Sequence, residues 1–364
     1  MSLLPDAESF KRVVDGSSRG LGPSAARLAL AAASGPFALA VAIRGVAYDA
    51  GLLPVIRADV PVISVGNLTL GGTGKTPLVA WIVRLLRAAG HVPAVVSRGY
   101  GARPGEVSDE AAELAVVLPG VIHVADRDRA TAARTAVAAG ASAVVLDDGF
   151  QHRRLHRDLD IVAIDATDPF GCGRLFPRGL LREPLRGLAR AGAIVLARAG
   201  SVTPQRRVEI RDTLERACGG RLPGPWMEAE HRPVALRSSG GLTQPLDALA
   251  GRRVVGFAGI GNPAAFRATL AAMDADVADF LPFPDHHAYA AHDLARIAAR
   301  ARAAGAAILV TTLKDLVKVR HDDLDGIPVA AVEIALDATT GGEGVAGAVV
   351  SAARPPLASR NRAS

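Results

Sequence analysis

Cysteine is scarce in this 364-residue chain: Cys172 and Cys218 are the only two, far apart and outside any CxxC pair. That excludes a disulfide framework and a cysteine zinc site, and it fits a reducing cytosol. Aromatic residues make up only 4%, which argues against binding single-stranded nucleic acid by base stacking. No hydrophobic run reaches membrane-spanning length. The uncharged stretch 28–43 has sixteen residues between Arg27 and Arg44 and is interrupted by Gly35-Pro36, so it falls short of a spanning helix. An N-terminal helix or helix pair lying in a membrane interface fits it, and so does an apolar helix packed on the protein's own core. No secretory leader is expected either, because residues 1–19 are polar and charged at both ends.

What is present is ordinary for a folded protein: 49% apolar and 21% charged residues. The length predicts about two domains. A net charge of +6 and a pI near 9.9 suit anionic partners, namely nucleotide phosphates, acidic headgroups or nucleic acid. A general arginine bias would give the same numbers.

The chain is organised around residues 61–90, PVISVGNLTLGGTGKTPLVAWIVRLLRAAG. Residues 62–65 read as a buried strand. Gly71, Gly72, Thr73 and Gly74 form a glycine turn ahead of Lys75 and Thr76. Pro77 stands where a first helical residue is expected, and Gly90 supplies a stop. This is the setting of a phosphate-binding loop, where backbone N–H groups and a helix N-terminus crowd round phosphate. Lys75 is then expected at the β- and γ-phosphates and the Thr76 hydroxyl at Mg²⁺. Thr69 stands where the strict pattern has its first glycine.

Strands and helices alternate downstream, predicting a mostly parallel sheet with helices on both faces. Strands are expected at 91–97, 121–124, 143–146, 161–164 and 193–197, and helices at 130–139 and 206–217. Glycine and proline at 219–225 suggest a boundary. Beyond it come strands at 233–236, 254–258, 307–312 and 327–334, with helices at 263–273 and 291–304, enough for a second, smaller α/β unit. The tail from Pro355 reads as frayed.

The strand 143–146 runs into Asp147-Asp148, delivering carboxylates beside the phosphate loop where Mg²⁺ needs an acidic partner. Adjacent residues point in different directions, so one is expected at the metal and the other toward its surroundings. The His152/His156 spacing hints at metal ligation on a helix, but no third ligand recommends itself. Asp109-Glu110 reads locally as the acidic start of a helix. Asp285-His286-His287 reads as a loop feature that matters if the second unit closes over the phosphate loop.

Together these residues resemble the tetraacyldisaccharide 4′-kinases, the lipid A 4′-kinases of Gram-negative bacteria. The matching segments are 65–77 (VGNLTLGGTGKTP), 97–100 (SRGY), 147–161 (DDGFQHRRLHRDLDI) and 177–185 (PRGLLREPL). Further on come 257–263 (FAGIGNP), 283–286 (FPDH) and 311–318 (TTLKDLVK). They follow the family's order over most of the chain, and the family's loop likewise lacks the first glycine.

The resemblance implies a kinase that moves the γ-phosphate of ATP, with Mg²⁺, to the 4′-hydroxyl of a tetraacylated glucosamine disaccharide 1-phosphate. It implies work at the cytoplasmic face of the inner membrane, with a lipid substrate and a membrane surface as partners. Neither nucleic acid nor an obligate protein partner is expected. It places ATP on Thr69, Leu70, Gly71, Gly72, Thr73, Gly74, Lys75 and Thr76, and the metal by Thr76, Asp147 and Asp148. It implies a catalytic pair, Asp109 and His286, and substrate contacts at Arg182 and Glu183. Asp109 has Ser108 and Ala111 around Asp-Glu where the family motif has glycine and proline.

The expected organisation is an apolar membrane-associating segment at 1–45 and a P-loop NTPase-like kinase domain at 46–225. A smaller α/β domain at 226–364 would complete the cleft. Two other readings use the same loop. A dimerising soluble ATPase or GTPase would carry a signature lysine where Leu70 stands. A basic binding module using nucleotide only structurally leaves residues 147–158 and His286 without a purpose.

Overall fold

The computed structural model describes residues 7–71, 73–99 and 109–354. Gly72, Tyr100 at the end of SRGY and the tail from Pro355 lie outside the described residues.

The first part of the chain runs α1 (Ala7–Val14), α2 (Leu21–Asp49), β1 (Val62–Asn67), α3 (Lys75–Ala88), β2 (Pro93–Ser97), α4 (Asp109–Val117), β3 (Ile122–Ala125) and α5 (Arg129–Ala138). It continues with β4 (Ala143–Asp147), β5 (Leu159–Asp165), β6 (Ala193–Ala197) and α6 (Pro204–Ala217). The rest is β7 (Trp226–Arg237), β8 (Thr243–Gln244), β9 (Arg253–Ala258), α7 (Pro263–Ala272), β10 (Asp276–Pro282) and α8 (Ala291–Ala303). Then come β11 (Ile308–Thr312), α9 (Leu313–Val319), β12 (Asp323–Leu324), β13 (Ile327–Thr340) and α10 (Gly342–Ala352).

Eleven of these strands form one continuous path, β10-β9-β11-β13-β7-β6-β5-β1-β4-β2-β3, with β8 and β12 paired at its side. Along that path only β7 and β13 pair antiparallel; the other neighbours are parallel. Every residue of β1, β2, β4, β5 and β6 is buried. Short β-branched runs do this in a parallel sheet covered on both faces. The sheet crosses the composition boundary near residue 225 without a break, since β6 and β7 pair with Ile194 opposite Trp226.

The sheet also curls. β4 and β13 are five positions apart, about 24 Å in a flat sheet, yet α3 touches both. Arg84 on α3 reaches the buried Glu333 of β13 at 3.5 Å. A core cluster runs unbroken from Leu78 and Ile82 on α3 through Leu114 on α4 and Val345 and Val349 on α10 to Leu316 on α9. This shared core brings α4 onto α9, far from each other in strand order.

Two sequence expectations change, and some elements had none. The strand expected at 233–236 is the end of a twelve-residue strand, β7, whose polar residues alternate with apolar ones. Strand β10 and helices α9 and α10 carried no expectation at all. The largest difference is N-terminal: Gly35-Pro36 does not break the apolar stretch, and α2 is one helix of 29 residues with Pro36 inside it. Proline removes one N–H from the ladder, and the flanking turns, rich in alanine and leucine, carry the helix through. By length and composition α2 is apolar enough to cross a membrane.

Helix α2 is nevertheless fastened along the body. Ser34 Oγ donates to Leu175 O and accepts from Arg178 N–H at 3.2 and 3.0 Å. Phe37 meets Phe176 edge-on, with ring centroids 5.6 Å apart. Arg44 donates to Gln151 O at 3.0 Å, and Arg153 pairs with Asp49 at 2.6 Å. Leu21, Leu28, Leu39, Ile43 and Val46 are 60–92% exposed. At 3.6 residues per turn those five fall within about 60° of one another, opposite the side that holds Ser34 and Phe37.

Candidate active site

The site is built at the carboxyl ends of the parallel strands, where open α/β sheets take ligands. β1 delivers the chain to the loop between Leu68 and Gly74. The first half of that loop is stitched to a neighbouring segment: Leu70 N–H donates to Leu180 O, and Arg182 N–H to Leu68 O, both at 2.7 Å. Thr69 bridges Leu181 and is not among the residues of positive φ. Its backbone is ordinary, so this position does not require glycine.

Gly74 does require it. It caps α3 in the left-handed conformation, φ 72°, and a Cβ there would run into the ring of His231 on β7. Lys75 and Thr76 then open the helix, with Pro77 as its third residue rather than its first; proline is tolerated throughout the first turn.

Strand β4 ends on Asp147, a buried residue opposite Val65 of β1. Asp148 follows with φ 52°, which turns its carboxylate toward the loop. Lys75 Nζ lies 3.3 Å from Asp148 Oδ1, and Arg182 Nη1 donates to both Asp148 oxygens at 2.9 and 2.7 Å. Burial alone would raise the Asp148 pKa; the two cations outweigh it and hold the carboxyl below its ordinary value.

The network continues outward. Gln151 donates to Asn67 O and to Glu183 Oε1 at 2.9 and 3.0 Å. Glu183 is buried and accepts from Arg190 at 2.8 Å. Arg182 and Glu183 are thus tied to the phosphate loop's own surroundings. His152 belongs to a run of turns, not a helix. Burial, then Arg129, Arg157 and Arg44, push it down to about 4. Among the described residues no group of three or more His, Cys, Asp or Glu side chains is placed to hold a metal.

Asp109 and His286, 177 positions apart in sequence, meet across the curled sheet. Asp109 begins α4, and its Oδ2 lies 3.7 Å from His286 Nδ1. His286 follows the end of β10 with φ 59°. Its N–H donates to Gly259 O at 3.1 Å and to Asp285 Oδ1 at 3.0 Å. Both side chains are partly open to solvent, 52% for His286 and 36% for Asp109.

Sequence reasoning passed over Gln151, Arg190 and His231, and quoted Lys318 without a role. Gln151 sat in the motif 147–161, which itself was a signal. His231 had none, because nothing local in β7 indicates that it backs the phosphate loop.

A buried strand, a glycine loop, a Lys-Thr helix start and carboxylates at the end of the adjacent strand define a P-loop NTPase-like α/β protein. Comparison with known proteins gives the particular family. The profile for "Tetraacyldisaccharide-1-P 4'-kinase" matches residues 26–346. The tetraacyldisaccharide 4'-kinase of Anaeromyxobacter sp. (strain K) is 45% identical over 306 residues, 79% of this chain and 80% of that one. That of Geobacter metallireducens is 43% identical over 314 residues, 80% of this chain and 88% of that one. A crystal structure of LpxK from Aquifex aeolicus in complex with ATP superposes with a TM-score of 0.71 at 30% identity, covering 90% of this chain and 99% of that one. The chain belongs to the tetraacyldisaccharide 4′-kinase family and is a kinase of lipid A biosynthesis.

Proposed function

We propose that this chain transfers the γ-phosphate of ATP to the 4′-hydroxyl of a tetraacylated glucosamine disaccharide 1-phosphate, at the cytoplasmic face of the inner membrane. The observation that carries the reading is the approach of Asp109 to His286 at 3.7 Å. Phosphoryl transfer needs positioning, charge neutralisation and a group that takes the hydroxyl proton. Asp109 takes that proton, and His286 orients the carboxylate.

ATP lies on the loop from Thr69 to Thr76, its phosphates met by backbone N–H groups, the start of α3 and Lys75. Lys75 and Arg182 both pair with Asp148 beside the loop, which sets two cations where the phosphates would lie. The oxygens of Thr76, Asp147 and Asp148 are the hard donors that suit Mg²⁺. A nucleotide-bound Mg²⁺ takes one or two carboxylates plus phosphate oxygens rather than a protein cage, and Asp147 and Asp148 at the end of β4 can supply the carboxylates. Bound there, the ion would neutralise charge on the phosphates.

Residues 46–225 act as the nucleotide-binding unit and 226–364 as the unit that supplies His286. The exposed stripe of α2 lies in the membrane interface, with the helix attached to the body on its opposite side. The reading is tested by ATP turnover with and without the acylated disaccharide monophosphate in detergent. Turnover should depend on the lipid; lipid-independent turnover at the same rate would overturn it.

A further inference from the structure

The segment 311–318, TTLKDLVK, is half buried and packs next to the Asp109–His286 pair. Lys318 on α9 places Nζ 3.1 Å from Asp315 Oδ1 and 3.9 Å from Asp109 Oδ2. Its side chain is only 12% exposed, and its ammonium lies 5.7 Å from the ring centroid of Tyr289. Asp315 is fully buried. Its Oδ2 accepts from Gly259 N–H at 3.0 Å and from the Thr312 hydroxyl at 2.7 Å. Gly259 in turn accepts the N–H of His286.

Two chains of contact therefore leave one ion pair. Through Lys318 it reaches the Asp109 carboxylate. Through Asp315 and Gly259 it reaches the backbone of His286, whose left-handed φ needs outside support. We infer that Lys318 and Asp315 are positioning residues of the transfer reaction. Lys318 sets the Asp109 carboxylate from the α9 side, and Asp315 fixes the loop that presents His286. A buried ion pair is poor evidence of stability in itself, and the position of this one, against Asp109 and behind the His286 loop, points to placement. This inference rests on the proposed role of Asp109.

A double-mutant cycle tests it, using the full-length enzyme, ATP and the lipid acceptor. kcat is referred to ATP sites titrated with a fluorescent ATP analogue, so misfolded protein is not counted. Lys318→Met should lower kcat ten- to a hundredfold with the KM for ATP within about twofold of wild type. Lys318→Arg, which keeps the charge, should recover most of that loss. Asp109→Asn should lower kcat by more than Lys318→Met. The combined variant should be no worse than Asp109→Asn alone, since residues that act through one another are not additive.

If Asp109→Asn is inactive while Lys318→Met retains wild-type kcat, the inference fails and the role of Asp109 stands. Additive losses, or Lys318→Arg as impaired as Lys318→Met, overturn it too. If Asp109→Asn itself keeps full activity, the failure lies in the underlying reading.

Discussion

Lys75 Nζ and Asp148 Oδ1 lie 3.3 Å apart, so the lysine expected on phosphate is held by a carboxylate of the adjacent strand. Arg182 shares the same carboxylate. One carboxylate thus fixes both cations at the mouth of the loop.

Lys75→Ala removes one charged donor from bound phosphate. Hydrogen bonds to charged groups contribute about 1.5–3 kcal/mol, so ATP affinity should fall roughly ten- to a hundredfold, and turnover with it. Fluorescent-nucleotide titration reads the affinity. Unchanged binding would remove Lys75 from the phosphate site.

Acid should destabilise the fold through buried histidine. His152 lies at about 4 against an ordinary 6.5, with burial the largest cause; His231 also lies at about 4 for the same leading reason. Between those values the unfolded chain binds more protons than the native one. Their contribution to stability is complete above about pH 6.5 and is lost as pH falls toward 4. Asp148, held below its ordinary value, acts with the same sign in a lower window, below about 3.8. Melting temperature against pH should therefore fall from 6.5 to 4.5, less steeply in His152→Asn. An identical slope in that variant would contradict the assignment.

The outward stripe of α2 should bind membrane without supporting the fold, because no residue of α2 is fully buried. Leu28→Glu, Leu39→Glu and Ile43→Glu together place three charges on it. The triple variant should stay in the supernatant of vesicles rich in acidic phospholipid and melt within a few degrees of the parent. Continued co-sedimentation would locate the anchor elsewhere.

Local chemistry made the nucleotide half legible. Glycine–Lys–Thr at the end of a β-branched run, and Asp147-Asp148 at the end of another, specify their conformations within a few residues. What the sequence could not show is set by contacts between distant segments. The need for glycine at Gly74 comes from the ring of His231 as well as from φ. The continuity of the sheet past residue 225 depends on β7 pairing with both β6 and β13. Asp109 read alone as a helix start, which it is; only the curl of the sheet sets it beside His286. At Pro36 the cause is the reverse: the helical turns on either side outweigh a local breaker.

A carboxylate at Asp109 that takes the proton of the acceptor hydroxyl is needed for transfer and not for nucleotide binding. The most direct measurement is transfer of labelled γ-phosphate to tetraacyldisaccharide 1-phosphate by Asp109→Asn, with ATP affinity measured on the same preparation. A lost general base removes about a hundred- to ten-thousandfold in rate. The account predicts that loss in kcat with ATP affinity unchanged; near-wild-type transfer by this variant would contradict it.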